Sequence, residues 1–239
     1  MQIMDHFLRN TTMLKRATIA LAVLAIISTE TASALDAGSV KRAADIGGNW
    51  LIGQFDLKTR GFGSTTAPEH LAMSIKALSE NPRDYKEANG PYFSEPVKVI
   101  LSKIDVNGHV NGTVMNETEA ILWIITGLKA TKNDAYKATI DKLRTRIKEL
   151  PKQEYPKFES AHLRPTSVTA DSMRNALAAI LKAGEEGKKE ITIDGQPVKW
   201  AEVLGESLIK LQQPDGSFGA DIPASAMALY ALNLCYKNM

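Results

Sequence analysis

The chain has 239 residues, of which 44% are hydrophobic and 23% charged, and its formal net charge is +2. This composition is typical of a globular protein and excludes a chain that is disordered throughout. The balance of charges argues against a nucleic-acid binder, which needs a strongly basic face. Since Cys235 is the only cysteine, no intrachain disulfide can form and the fold must be stabilised by packing. Cys235 itself is interpreted as a small core residue rather than a nucleophile.

Residues 1–34 have the order of a secretory signal peptide. A basic pair, Lys15 and Arg16, precedes the apolar run from Ala17 to Ile27, and small residues follow up to Ala34. The run is shorter than the roughly 20 residues that a membrane-spanning helix needs. We therefore expect cleavage after Ala34 and export to the periplasm or the cell exterior.

The start of this segment has a second interpretation. Met13 followed by a basic pair would open a conventional signal by itself, so residues 1–12 are interpreted as an over-extension of the reading frame. The alternative for the whole segment is an uncleaved N-terminal helix. The remaining residues, 35–239, are expected to form a single domain with no transmembrane segment and with nearly balanced charge.

From residue 39 onwards, apolar residues recur at three- and four-residue spacing between turn signals, which predicts helical hairpins in series. We predict an all-α fold of about four such hairpins. The eight predicted helices span residues 39–55, 66–80, 94–105, 117–130, 133–150, 167–184, 197–213 and 223–237.

The turns inside the hairpins contain an internal repeat. Gly61-Phe62-Gly63 resembles Gly216-Ser217-Phe218-Gly219, and residues 107–110 and 157–158 are weaker copies. The period is about 48 residues when the segment 185–196 is treated as an insertion. Within the insertion, an Ile-Thr-Ile run before Asp-Gly predicts a short β-hairpin near residues 190–198, and no other strand is expected.

The segment from Leu208 to Gly219, followed by the apolar run from Ala224 to Leu232, resembles the repeat of the prenyltransferase and squalene-cyclase superfamily. That repeat places a Gln and an Asp-Gly-x-aromatic turn between two helices. A second copy runs from Gln54 to Gly63 and on to Leu78, and residues 119–128 match the inner helix of a third. The resemblance implies a divergent, exported bacterial member with an α/α toroid, partial or small, built from an outer and an inner ring of helices.

The residues that give this family its activities do not match in this sequence. Its triterpene cyclases need an Asp-x-Asp-Asp cluster, which is missing, and Asp105-Val106-Asn107 is interpreted as a turn cap. Its protein prenyltransferases hold zinc with Asp, Cys and His, but Ala224 stands at the histidine position and Cys235 lies too far along the helix. The comparison therefore predicts no catalytic residue, metal ligand or cofactor.

In a toroid, the N-terminal ends of the inner helices converge at one mouth of the barrel. A mouth lined with carboxylates, one histidine and one arginine would bind a cation, a sugar or a peptide terminus. The alternative is capping, because acidic residues in a first turn face the helix dipole favourably, and Asn116, Thr118 and Ser167 are typical caps. The polar residues at these positions are Glu69, His70, Glu117, Glu119, Asp171, Arg174, Asp221 and Ser225.

The larger aromatic residues could line a cleft for an isoprenoid or a carbohydrate, or they could be core residues, which is the commoner role at helical spacing. They are Trp50, Trp123, Trp200, Phe218 and Tyr230.

The sequence favours a non-catalytic domain that binds a protein, glycan or lipid through its inner-helix face or through the insertion. One alternative is an isoprenoid-handling enzyme or carrier with a deep aromatic pocket. The other is a structural subunit that completes its toroid as a homo-oligomer. The candidate contacts are His70, Glu117, Glu119, Trp123, Asp171, Arg174, Ser225 and Tyr230.

Overall fold

The fold was analysed in a computed structural model, which describes residues 35–151, 160–185, 187–193, 195–219 and 221–239. The predicted signal peptide, residues 1–34, and the weak turn copy at residues 157–158 lie outside the described residues. In the described ranges, no helix is both long and apolar enough to span a membrane.

The described residues are mostly helical and contain eight α-helices, as predicted, with each boundary within about one helical turn of the prediction. The helices are α1 (Ala37–Gly53), α2 (Pro68–Glu80), α3 (Pro91–Ser102), α4 (Glu117–Ala130), α5 (Lys137–Glu149), α6 (Ala170–Glu185), α7 (Trp200–Leu211) and α8 (Ile222–Asn238).

Two antiparallel two-stranded sheets accompany the helices. The predicted hairpin in the insertion is confirmed, because β3 (Glu190–Ile193) pairs with β4 (Gln196–Lys199). The expectation that no other strand exists is wrong, since β1 (Phe55–Asp56) pairs with β2 (Gly61–Phe62) in the first glycine turn. These two-residue strands are too short to show the alternation by which a strand is recognised in a sequence.

The packing order of the helices differs from their order in the chain. Helix α2 packs against α4 on one side and α8 on the other, and α6 packs against α8. Helix α3 lies on α2, and α5 lies on α4, so each of these helices packs on the second helix of the preceding hairpin. Helix α1 packs on α8 in the same way. The last hairpin therefore meets the first one.

The contact between the last turn and the first helix is made by Gln212. Its side-chain Nε2 donates to the carbonyl oxygens of Gly216, at 3.1 Å, and of Ala43 in α1, at 2.9 Å. Gly216 has φ +94°, and a Cβ atom there would lie 2.7 Å from the carbonyl oxygen of Ile46. The repeated glycine is required by its left-handed backbone and by the close approach of α1.

Helix α8 is buried around its whole circumference. Every residue from Pro223 to Asn233 is buried, and α1, α2, α6 and α7 pack around the helix. Asn233 is fully buried, and its Nδ2 donates to the carbonyl oxygen of Ala77 in α2 at 2.8 Å. Cys235 is also fully buried, and burial raises the pKa of its thiol. This agrees with its prediction as a core residue.

Helices α2 and α4 approach so closely that one glycine has no room for a side chain. A Cβ atom on Gly127 would lie 2.8 Å from the Cα and the carbonyl oxygen of Ala72. We expect Gly127→Ala to lower the free energy of unfolding by about 1–3 kcal/mol, as measured by urea denaturation, because the helices must separate. Helix propensity alone would favour alanine by about 1 kcal/mol.

Gly184 in α6 provides the matched control, since a Cβ atom there would meet nothing within 4 Å. We expect Gly184→Ala to be neutral or to stabilise the protein by up to about 1 kcal/mol. If Gly127→Ala were as stable as the wild type, the close packing of α2 and α4 would not contribute to stability.

Candidate ligand-binding site

The charged residues predicted at the ends of the second helices do not form one cluster. The structure divides them among an ion pair that joins α4 to α6, a buried group at the start of α2, and a separate group between α4 and α5. The local contacts of each group decide which residues remain available to a ligand.

Glu119 and Arg174 form the link between α4 and α6. The Nε of Arg174 donates to Oε1 of Glu119 at 2.6 Å, and Glu119 is only 5% exposed. Arg174 also donates from Nη1 to the exposed Asp171 at 2.6 Å. Asn116 caps α4 by accepting the N–H of Glu119 at 2.9 Å, as predicted. The result is an ion pair held in place by capping.

The cap of α6 differs from the prediction. Thr169 rather than Ser167 accepts the backbone N–H of Ser172, at 3.1 Å, while the Ser172 hydroxyl accepts the N–H of Thr169 at 2.9 Å. This is a reciprocal arrangement of the capping-box kind. Ser167 contributes only its carbonyl oxygen, which accepts from the Ser172 hydroxyl at 2.9 Å.

Glu69 and Ser225 are committed to the fold. Glu69 is fully buried, and its Oε1 accepts the backbone N–H groups of Val114 and Met115 at 2.6 and 3.3 Å. Ser225 is buried and accepts the N–H of Phe218 at 3.4 Å. These side chains hold the loops in front of α4 and α8, so they act as structural caps rather than as exposed contacts.

His70 lies next to Glu69 at the start of α2. Its Nδ1 is 3.0 Å from the hydroxyl of Thr65. Burial lowers the pKa of His70 below its usual 6.5, although the charges of Glu69 and Asp221 act in the opposite direction. The imidazole is therefore favoured in its neutral form by the folded protein.

Glu117 lies apart from the other predicted contacts. It accepts hydrogen bonds from Nε and Nη2 of Arg146 in α5 at 3.2 and 3.1 Å, and its Oε1 lies 2.7 Å from Nδ1 of His109. The hydrogen bond from Arg146 is the main reason that the pKa of Glu117 is lowered. His109 is exposed, and Glu117 joins its turn to α5.

Trp123 and Tyr230 come together near the middle of α4 and α8. Their ring centroids are 6.4 Å apart at an interplanar angle of 76°. The ammonium group of Lys76 in α2 lies 5.1 Å from the centroid of the Tyr230 ring. Burial raises the pKa of Tyr230 to about 12, so its hydroxyl is neutral at physiological pH. Lys76 was not predicted from the sequence. Its only signal there is that it is a charged residue within a largely apolar helix, α2.

Beyond the Glu119–Arg174 ion pair, α4 and α6 do not pack along their lengths in the described part of the chain. On α4, residues one or two turns after Glu119 lie on the same face of the helix as Glu119. On α6, residues one or two turns after Arg174 likewise lie on the same face as Arg174. Leu122 and Leu181 are 37% and 41% exposed on these two faces. We infer an opening between these two faces, which we call the α4–α6 cleft, and we define it by Leu122, Trp123 and Thr126 of α4 with Ala178 and Leu181 of α6.

Neither metal binding nor a known family is indicated. The described residues contain no group of three or more His, Cys, Asp or Glu side chains that could hold a metal ion. No family model, curated protein or solved structure matches this chain.

The Glu119–Arg174 ion pair should contribute to stability because it neutralises an almost buried carboxylate. We expect Arg174→Met to lower the free energy of unfolding by about 1–3 kcal/mol, because the variant keeps most of the apolar stem and removes the charge of Arg174 from beside the nearly buried Glu119. Adding Glu119→Gln should recover part of this loss. Chemical denaturation of the two single variants and the double variant measures the coupling.

Arg144 serves as the control for this experiment. Its ion pair with Asp141 joins side chains that are 50% and 52% exposed. Arg144→Met should change stability by less than about 0.5 kcal/mol. Equal losses from the Arg144 and Arg174 variants would contradict a special contribution from the α4–α6 link.

His70 should make stability depend on pH. Its folded-state pKa lies below 6.5, so the unfolded chain binds more protons as the pH falls below that value. The contribution of neutral His70 is fully present above pH 6.5 and is lost as the pH falls towards the folded-state pKa. When the pH is lowered from about 7.5 to about 5.5, the free energy of unfolding of the His70→Gln variant should fall by less than that of the wild type in denaturation experiments. Identical pH profiles would show that His70 does not contribute.

Proposed function

We propose that this protein is a non-catalytic binding domain whose ligand lies in the α4–α6 cleft. The observation that carries the proposal is the part-exposed Trp123 of α4, which makes edge contact with Tyr230. Leu122 of α4 and Leu181 of α6 are also exposed. A part-exposed tryptophan together with exposed leucines supplies the large apolar contact typical of ligand-binding clefts.

The ends of the cleft supply the polar groups that orient a ligand. At one end, Arg174 is partly exposed and is held in position by Glu119 and Asp171. Below Trp123, Lys76 lies over the Tyr230 ring. The ligand classes are a protein segment, a glycan or a lipid, and the exposed Leu122 and Leu181 favour those with an apolar portion.

The packing order supports an α/α arrangement with inner and outer helices. The order α4–α2–α8–α6 brings the second helices together, while α1, α3 and α5 lie outside them. We infer a small toroid that is open between α4 and α6, as expected from the resemblance to the prenyltransferase and squalene-cyclase repeat. The order of residues 1–34 supports an extracytoplasmic location.

The burial of side chains between the second helices of the hairpins supports a binding role rather than terpenoid chemistry. An isoprenoid-handling enzyme needs a deep aromatic pocket inside the inner ring. In the described structure, Met73 and Met227 are 1% exposed and Leu177 is 2% exposed. The two cavities described lie elsewhere, at the base of the insertion and at the C-terminal ends of α2, α4 and α8.

Native mass spectrometry of the protein purified from its own cell envelope tests this proposal. The wild type should retain a ligand, whose mass identifies it as a lipid, a glycan or a polypeptide. Leu181→Lys places a charge on the edge of the cleft and should reduce ligand occupancy by about tenfold.

Val106 provides the matched control, because it is 84% exposed in a turn on another part of the surface. Val106→Lys should retain the ligand at wild-type occupancy. Circular dichroism of the variants checks that the fold is intact. If the wild type retained nothing, or if the Leu181 and Val106 variants retained equal amounts, the proposed site would be wrong.

A further inference from the structure

A cavity of about 370 Å³ lies where the C-terminal ends of α2, α4 and α8 meet. It is separate from the ion pair at the other end of α4 and from the insertion. Four lysine ammonium groups line it, together with two carboxylates. The charged residues of the lining are Lys76, Glu80, Asp84, Lys129, Lys132 and Lys237.

Both carboxylates already have cationic partners. Glu80 accepts hydrogen bonds from Lys76 and Lys237. Although burial opposes it, these hydrogen bonds lower the pKa of Glu80, which therefore stays ionised. Asp84 pairs at 2.5 Å with Lys86, which is not part of the lining.

The lining carries two more cationic than anionic side chains. Lys129 and Lys132 are both exposed, and the charge of Lys132 already contributes to lowering the pKa of Asp84. The dipoles of α4 and α8 account for a cation in the last turn of each helix, where Lys129 and Lys237 lie. They do not account for Lys132, which follows the end of α4.

The backbone at Lys132 gives an independent indication. Lys132 has φ +56° just after the end of α4, where glycine is the usual residue because a side chain is strained there. Asp84, on the opposite side of the cavity lining, has φ +53°. Of the three described non-glycine residues with positive φ, two line this cavity. Strained backbone of this kind collects at functional sites.

We propose that this cavity binds a phosphate group, with Lys129 and Lys132 as its main contacts and with Lys237 as a supporting charge. Lysine binds phosphate as a compact point charge. A phosphate monoester carries a charge of about −1.5 to −2, which matches the excess of two cationic side chains in the lining. The proposal does not depend on the α4–α6 cleft.

Isothermal titration of the full chain with inorganic phosphate tests the proposal. The wild type should show saturable binding with a Kd of about 1 mM or tighter. The double variant Lys129→Gln/Lys132→Gln should bind about tenfold more weakly. The double variant Lys58→Gln/Lys148→Gln removes the same charge from exposed positions outside the lining and should bind as the wild type does.

Lys132→Gly separates loss of binding from loss of folding. Glycine relieves the left-handed backbone, so this variant should melt about 2 °C or more above the wild type while binding phosphate more weakly. Unchanged phosphate affinity in this variant and in the Lys129/Lys132 double variant would overturn the proposal. So would an absence of saturable binding by the wild type, or an equal loss in the Lys58/Lys148 control.

The source of the phosphate group is identified by two further probes. Glycerol phosphate tests a free phosphate ester, and phosphatidylcholine vesicles with added phosphatidic acid test a lipid headgroup, with pure phosphatidylcholine vesicles as the blank. Binding of either probe that depends on Lys129 and Lys132 supports the site and names its source. Failure of both probes to bind would count against a phosphate ester as the ligand.

Discussion

Burial of α8 on all sides is the constraint on which the rest of the fold depends. A helix that is apolar around its whole circumference is stable in water only when other elements cover every face. Here α1, α2, α6 and α7 cover it, so both ends of the described chain contribute to one core. The hydrogen bond from Asn233 to Ala77 then sets the position of α8 along α2. Because these contacts join distant parts of the chain, no single hairpin would be stable alone.

The polar residues at the starts of α2, α4, α6 and α8, the second helices of the hairpins, mainly stabilise this packing. Glu69 accepts two backbone N–H groups, and Glu119 is neutralised by Arg174. A buried carboxylate without such partners would be costly, so these contacts are part of the fold. What remains accessible is the apolar surface beyond the ion pair, where α4 and α6 are not packed together. The candidate site therefore lies along these helices rather than at their first turns.

The two ends of the second helices also differ in charge in the way that helix dipoles favour. Acidic side chains occupy first turns, where unpaired N–H groups carry partial positive charge, and lysines gather at the C-terminal ends of α2, α4 and α8. Lys76 connects the two regions of interest, since it lies over Tyr230 below the cleft and also lines the basic cavity. Lys76 is thus common to the surroundings of the proposed cleft and to the lining of the basic cavity.

The sequence by itself determined the eight helices, the hairpin of the insertion, the buried state of Cys235 and the cap at Asn116, because helical periodicity, turn residues and capping are local properties. It also supplied Trp123 and Tyr230 as candidates. Only the tertiary structure decided that Glu117 pairs with Arg146, that Lys76 lies over Tyr230 and that four lysines share one cavity. These contacts join residues far apart in the chain, and a single sequence does not specify which helices become neighbours. The short β1–β2 pair was missed for a related reason, since its contacts rather than its two-residue strands define it.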